Sequence, residues 1–187
     1  MLPGNVHNFG HELPSLRRVD APERGDTPKA RLRIERKARP AAAARDGVDS
    51  VVLRAGDFFG GPGSGTRFDM ALVKKLGRGR LVYPGEPTVA RAWAYLPDLA
   101  QAFVRVAAQR ARLHGHHRLH FAGHALTGEA LRSAMELLFR RRLRIAGLPW
   151  PLIRIASPFV PTWRELLTMR YLWQRPHALD HAELRGL

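Results

Sequence analysis

Two segments of this chain constrain its fold more than anything else in it. Val51–Gly61 (VVLRAGDFFGG) is a β-branched run that passes straight into a glycine-rich loop. Arg91–Phe103 (RAWAYLPDLAQAF) reads as a short strand followed at once by a helix. A continuous apolar run bounded by turn residues marks a strand buried on both faces, and such strands belong to parallel sheets covered by helices. Val48–Ala55 is therefore expected to form a central strand with parallel neighbours.

The other periodicities alternate in the same way. Residues 1–26 read as loop, with a short strand in Asn5–Phe9. Thr27 caps and Pro28 opens a helix to about Ala44, which Pro40 should kink or divide and Asp46-Gly47 close. Gly56–Gly65 reads as loop, Phe68–Leu76 as a helix ended by Gly77–Gly79, and Leu81–Tyr83 as a strand. Leu96, Leu99, Ala100, Phe103, Val104 and Ala107 follow helical spacing. Arg118–Ala122 alternates like a strand. Thr127 caps a helix with Leu131, Ala134, Met135 and Leu138 on one face. Thr162 and Glu165 have capping-box spacing, for a helix reaching about Trp173. This order predicts an α/β chain with a mostly parallel sheet and a small, mainly helical C-terminal lobe.

Composition narrows the function classes. A chain of 187 residues can bury one core and a small lobe. Without cysteine it can form neither disulfides nor thiolate metal sites, which fits a reducing, cytoplasmic setting. The opening MLPGNVHNFGHELPSLRR lacks the apolar core of a signal peptide, and no run of about 18 apolar residues suggests a membrane span. The formal charge of +15 suits nucleic acid or an anionic surface. Yet only Lys29, Lys37, Lys74 and Lys75 among the 31 basic residues are lysines, and the charges are scattered. No nucleic-acid motif accompanies them, so neither a specific nucleic-acid partner nor a membrane partner is expected.

LRAGDFFGG is similar to the LRxxxxxG strand-loop of the extended short-chain dehydrogenase/reductases, the NAD-dependent epimerase/dehydratase-like family. RAWAYLPDLAQAF resembles their R-x-(aromatic)-x-(aromatic)-V-x-D-(aliphatic)-A signature. NVHNFG looks like their strand ending in V-Y-G, with His7 where Tyr is usual, and YLWQRPHALD resembles the tail of an atypical branch, in which Asp180 opens a last helix. The resemblance implies a partial doubly wound parallel sheet, the second half of a Rossmann-like NAD(P)-binding domain, over residues 1–123. Residues 124–187 would be a small helical substrate lobe. It also implies NAD or NADP as cofactor and a nucleotide-linked or other small carbonyl or alcohol substrate. The implied cofactor-side residues are Arg54, Gly56, Asp57 and Phe58; the implied substrate-side residues are Phe59, Arg91 and Tyr95. In the family the arginine at position 91 often reaches a substrate phosphate, and the aspartate at 98 starts the following helix.

The departures are as informative. The family's G-x-x-G-x-x-G turn, which lets a backbone approach the pyrophosphate, has no counterpart here. Gly60-Gly61-Pro62-Gly63-Ser64-Gly65 follows a different strand and lacks the spacing. The family's Tyr-x-x-x-Lys pair falls near Lys29 and Arg33, in KARLR. Neither residue supplies a phenol, and arginine stays charged. Leu2-Pro3-Gly4-Asn5 offers no hydroxyl where a Ser or Thr is usual. The catalytic residues are therefore unassigned, and weak or no cofactor binding is expected of this chain alone. A non-catalytic ligand-sensing or scaffold protein on the same fold is the alternative; a basic nucleic-acid or membrane-surface binder is a second. An exposed parallel edge would make the isolated chain poorly soluble or a homo-oligomer.

Three further clusters have ordinary readings. His114, His116, His117, His120 and His124 lack nearby carboxylate partners and suit a solvated turn better than a metal site. Arg140–Arg142 and Arg144 suit a helix C-terminus. Trp150, Phe159, Trp163, Tyr171 and Trp173 suit the core of a cap.

Overall fold

The computed structural model describes residues 1–11, 15–61, 65–66, 68 and 72–187. Its centre is the β-branched run. Strands β1 (Leu2–Gly4), β3 (Ser50–Arg54) and β7 (His116–His120) form a parallel sheet in the order β1-β3-β7. Leu53 pairs with Pro3 on one side and Leu119 on the other. Val51–Arg54 is buried throughout because both faces are covered. Val51, Leu53 and Ala55 pack with Leu99, Ala102, Val106, Leu113 and Leu119, and burying each large aliphatic side chain here contributes about 1.5–3 kcal/mol.

The covering helix is α2 (Leu96–Ala108), entered directly from β6 (Arg91–Tyr95) as its sequence implies. Its buried face is Leu99, Ala102 and Val106, rotated from the expected one, and Val104 is 69% exposed. Helix α1 (Pro28–Ala43) has Thr27 Oγ1 accepting the Ala30 N–H at 3.0 Å. Pro40 does not divide it. The proline forfeits one backbone hydrogen bond close to the helix end, and its carbonyl accepts from the Ser50 hydroxyl at 3.2 Å. A 3-10 turn, Ala44–Asp46, closes the segment on left-handed Gly47 (φ 77°).

Other expectations shift. The N-terminal strand is Leu2–Gly4, because Asn5 caps a 3-10 turn over Val6–Phe9 instead of extending. The segment expected as loop holds β4 (Asp57–Phe59), which pairs in parallel with β6. The strand sought at Arg118–Ala122 is β7, two residues earlier. Residues 69–71 of the helix expected over 68–76 lie outside the described residues, and Leu76–Arg78 is a 3-10 turn.

Later strands pair back onto earlier ones. β8 (His124–Leu126) runs antiparallel to β6, and β9 (Arg144–Ala146) runs parallel to β5 (Arg80–Val82). β10 (Ala178–Leu179) runs parallel to β2 (Leu16–Arg17). Thr127 Oγ1 caps α3 (Gly128–Phe139), whose inward face holds Leu131 and Met135 while Leu138 is 72% exposed. Two short helices follow, α4 (Trp150–Ala156) and α5 (Pro161–Thr168). No capping box opens α5: Pro161 takes the first helical position, which leaves Val160 at the cap and Thr162 inside. The chain then tightens into a 3-10 turn, Arg170–Trp173, which turns Leu172 and Trp173 inward. The last short helix is α6 (Ala182–Arg185), where Asp180 Oδ1 accepts the Ala182 N–H at 3.1 Å. No helix among the described residues is long and apolar enough to cross a membrane.

Candidate functional site

Open α/β sheets bind ligands beyond the carboxyl ends of their strands. Here those ends are Gly4, Arg54 and His120. The Arg54 side chain folds across Gly4, so closely that a Cβ there would meet Arg54 Cγ at 2.6 Å. The guanidinium is fully buried and ion-paired with Glu23, whose Oε1 also lies 3.8 Å from Lys37 Nζ. It shares the Phe9 ring with a second buried guanidinium, Arg17; the two carbon centres lie 5.0 and 4.7 Å from the ring centroid. His120, 6.3 Å from Phe9 centre to centre, sits 3.2 Å from the Arg17 carbonyl through Nδ1. Burial pulls Arg17 and Arg54 down to about 10 and Lys37 down to about 7, the last helped by Arg33 and Arg118.

The loop residues after β3 turn away from this corner. Gly56 has no room for a side chain, because a Cβ would collide with the Ala92 carbonyl of β6. Asp57 Oδ2 receives Arg91 Nη2 at 2.5 Å. Arg91 is 1% exposed, donates through Nε to the Leu172 carbonyl at 2.9 Å, and stacks 3.4 Å from the Trp173 ring centroid. This guanidinium is thus spent inside the fold. Phe58 packs on the central core. Phe59 lies in an aromatic face with Tyr95 (5.4 Å), Phe68 (5.6 Å) and His124 (6.1 Å). Tyr95 is 37% exposed. Beside His124 a groove of about 880 Å³ runs along α2, lined among others by Asp98, Gln101, Arg105, Phe121 and His181.

The structure therefore separates the sequence-derived candidates. Arg54 belongs to the strand-end corner, Asp57 and Arg91 to a buried knot, and Phe59 and Tyr95 to a partly exposed aromatic face. Lys29 Nζ is held 2.5 Å from Glu165 Oε2 and 3.8 Å from Met169 Sδ. The clustered histidines diverge: His116 Nδ1 meets Ser50 Oγ at 2.8 Å, His117 Nε2 meets the His114 carbonyl at 2.9 Å, and His120 is buried. Among the described residues no group of three or more potential ligands could hold a metal ion. Of the aromatic tail, Trp173 is core and Phe159 is 86% exposed. Sequence reasoning missed Arg17, Glu23 and Lys37, because nothing in their local spacing marks a long-range ion cluster.

No protein-family model matches the sequence, and no curated protein matches it significantly. Solved structures do match in shape. UDP-glucuronic acid 4-epimerase from Bacillus cereus, in complex with UDP-glucuronic acid and NAD, superposes with a TM-score of 0.73 at 13% identity, over 100% of this chain and 54% of its own. L-Threonine 3-dehydrogenase from Trypanosoma brucei superposes with a TM-score of 0.71 at 15% identity, over 98% and 54%. A human epimerase family protein with NADPH gives 0.64 at 22% identity, over 95% and 56%. The chain shares the fold of these structures and spans a little over half their length. Arg54, Phe9 and Arg17 fill the strand-end corner, so a ligand ring entering there would have to displace them.

Proposed function

We propose that this chain keeps the epimerase/dehydratase fold and its substrate-facing side without running NAD(P)-linked chemistry on its own. The compound class is a nucleotide-linked or other small carbonyl or alcohol molecule, received against the aromatic face of Phe59 and Tyr95. One observation carries the reading: Lys29, near where the resemblance puts the family's catalytic phenol, is an ammonium tied to the Glu165 carboxylate. Its side chain carries no phenol, and its Nζ is already engaged by the Glu165 carboxylate and the Met169 sulfur. Asp57 and Arg91 then serve as the frame that sets β4 against β6, and Arg54 as the closing group of the strand-end corner. The fold likeness to proteins that carry NAD or NADPH supports the ancestry of this arrangement.

The experiment is a turnover assay of the purified chain with NAD⁺ or NADP⁺ and UDP-glucose or UDP-glucuronic acid. Neither reduced nicotinamide nor altered sugar is expected above the protein-free background. Turnover that disappears in Lys29→Ala would overturn the proposal by giving Lys29 the proton-transfer role denied to it here.

A further inference from the structure

A basic pocket lies at the start of the β5–β9 pair, at the opposite end of these strands from Tyr83. It encloses about 610 Å³ and is lined by Arg78, Arg80, Arg132, Arg142 and Arg144, with Glu136 as its one carboxylate. The two strands pair in parallel with Arg80 directly opposite Arg144. Directly opposed residues of a ladder project to the same face, and like charges in that position repel. Glu136 does not relieve them. Its Oε1 accepts the Leu143 N–H at 2.7 Å and lies 3.3 Å from Arg132 Nη1. Among the described residues no ion pair engages Arg78, Arg80, Arg142 or Arg144.

The walls are fixed by the backbone. Arg144 N–H donates to the Gly79 carbonyl at 2.9 Å, and Arg141 Nη1 donates to the Gly77 carbonyl at 2.9 Å. Arg140, in the left-handed region at φ 48°, ends α3 and turns the arginine run toward the pocket. Four exposed guanidiniums held around a concavity match a multiply charged oxyanion, because each presents paired N–H donors to two oxygens at once. The volume falls in the small-molecule range of roughly 300–1,000 Å³.

We propose that this pocket binds the diphosphate group of a small molecule, separately from the aromatic face and the strand-end corner. The probe is inorganic pyrophosphate, titrated calorimetrically at constant physiological ionic strength against three proteins: the unaltered chain, Arg80→Glu/Arg144→Glu, and Arg110→Glu/Arg112→Glu. The last removes the same charge from an exposed 3-10 turn after α2. Saturable binding is expected in the unaltered chain and in the control. The pocket variant should bind at least about tenfold more weakly, with a thermal midpoint no lower, since the two new carboxylates face the remaining guanidiniums of Arg78, Arg132 and Arg142. If charge reversal perturbs folding, Arg80→Gln/Arg144→Gln gives the same comparison. Equal weakening in pocket and control variants, no saturable binding, or duplex DNA binding that pyrophosphate does not displace would each overturn the proposal.

Discussion

Arg91→Ala is expected to cost about 3–5 kcal/mol of folding stability, measured by urea unfolding at neutral pH. The replacement strands the Asp57 carboxylate, whose side chain is 16% exposed, without its guanidinium. It also removes the donor to the Leu172 carbonyl and the cation stacked on Trp173. Removing one member of a largely buried pair costs more than replacing both, so Asp57→Leu combined with Arg91→Met should recover most of the loss. A loss below about 1 kcal/mol would identify Arg91 as a surface-type pair. Its guanidinium would then be free for the substrate phosphate that the family resemblance implied.

Stability is expected to fall by several kcal/mol between neutral pH and pH ~4, because two imidazoles are buried uncharged. His120 is fully buried and His177 is 2% exposed. Both are pushed down from 6.5 to about 4, by burial first and then by Arg54 beside His120 and Arg91 beside His177. Lys37 also faces His120, and Arg17 faces His177; Asp180 and Asp57 respectively oppose these cations. Through this window the unfolded chain binds more protons than the folded one. Stability therefore rises with pH from about 4 to 6.5 and is lost on acidification, by on the order of 3 kcal/mol per imidazole. His120→Gln and His177→Gln should each flatten the urea-midpoint profile over that range. A profile already flat in the unaltered chain would show that these imidazoles titrate as exposed ones.

Sheet order and local chemistry were legible to different degrees. Val51–Arg54 announced itself because a strand buried on both faces is written as an unbroken apolar run, whatever its partners. The passage from Arg91–Tyr95 into α2 was legible because the strand and helix periods meet at Pro97. β4 was hidden, since Asp57-Phe58-Phe59 is too short to carry a period and sits among glycines. The α5 cap was misread because Thr162 and Glu165 have the right spacing, but Pro161 occupies the first helical position. The site was less legible than the fold. Arg54, Asp57 and Arg91 were singled out, yet their partners come from far along the chain: Glu23, Leu172 and Trp173. Long-range ion pairs leave no periodic trace, so a guanidinium that would bind a ligand and one consumed by the fold read alike in sequence.

The most direct measurement is a fluorescence titration of NADH and NADPH with the purified chain at physiological ionic strength. If Arg54, Phe9 and Arg17 close the strand-end corner and Lys29 is tied to Glu165, neither nucleotide should give saturable binding in the micromolar range. Micromolar, saturable binding of either, lost on competition with the oxidised form, would contradict the account.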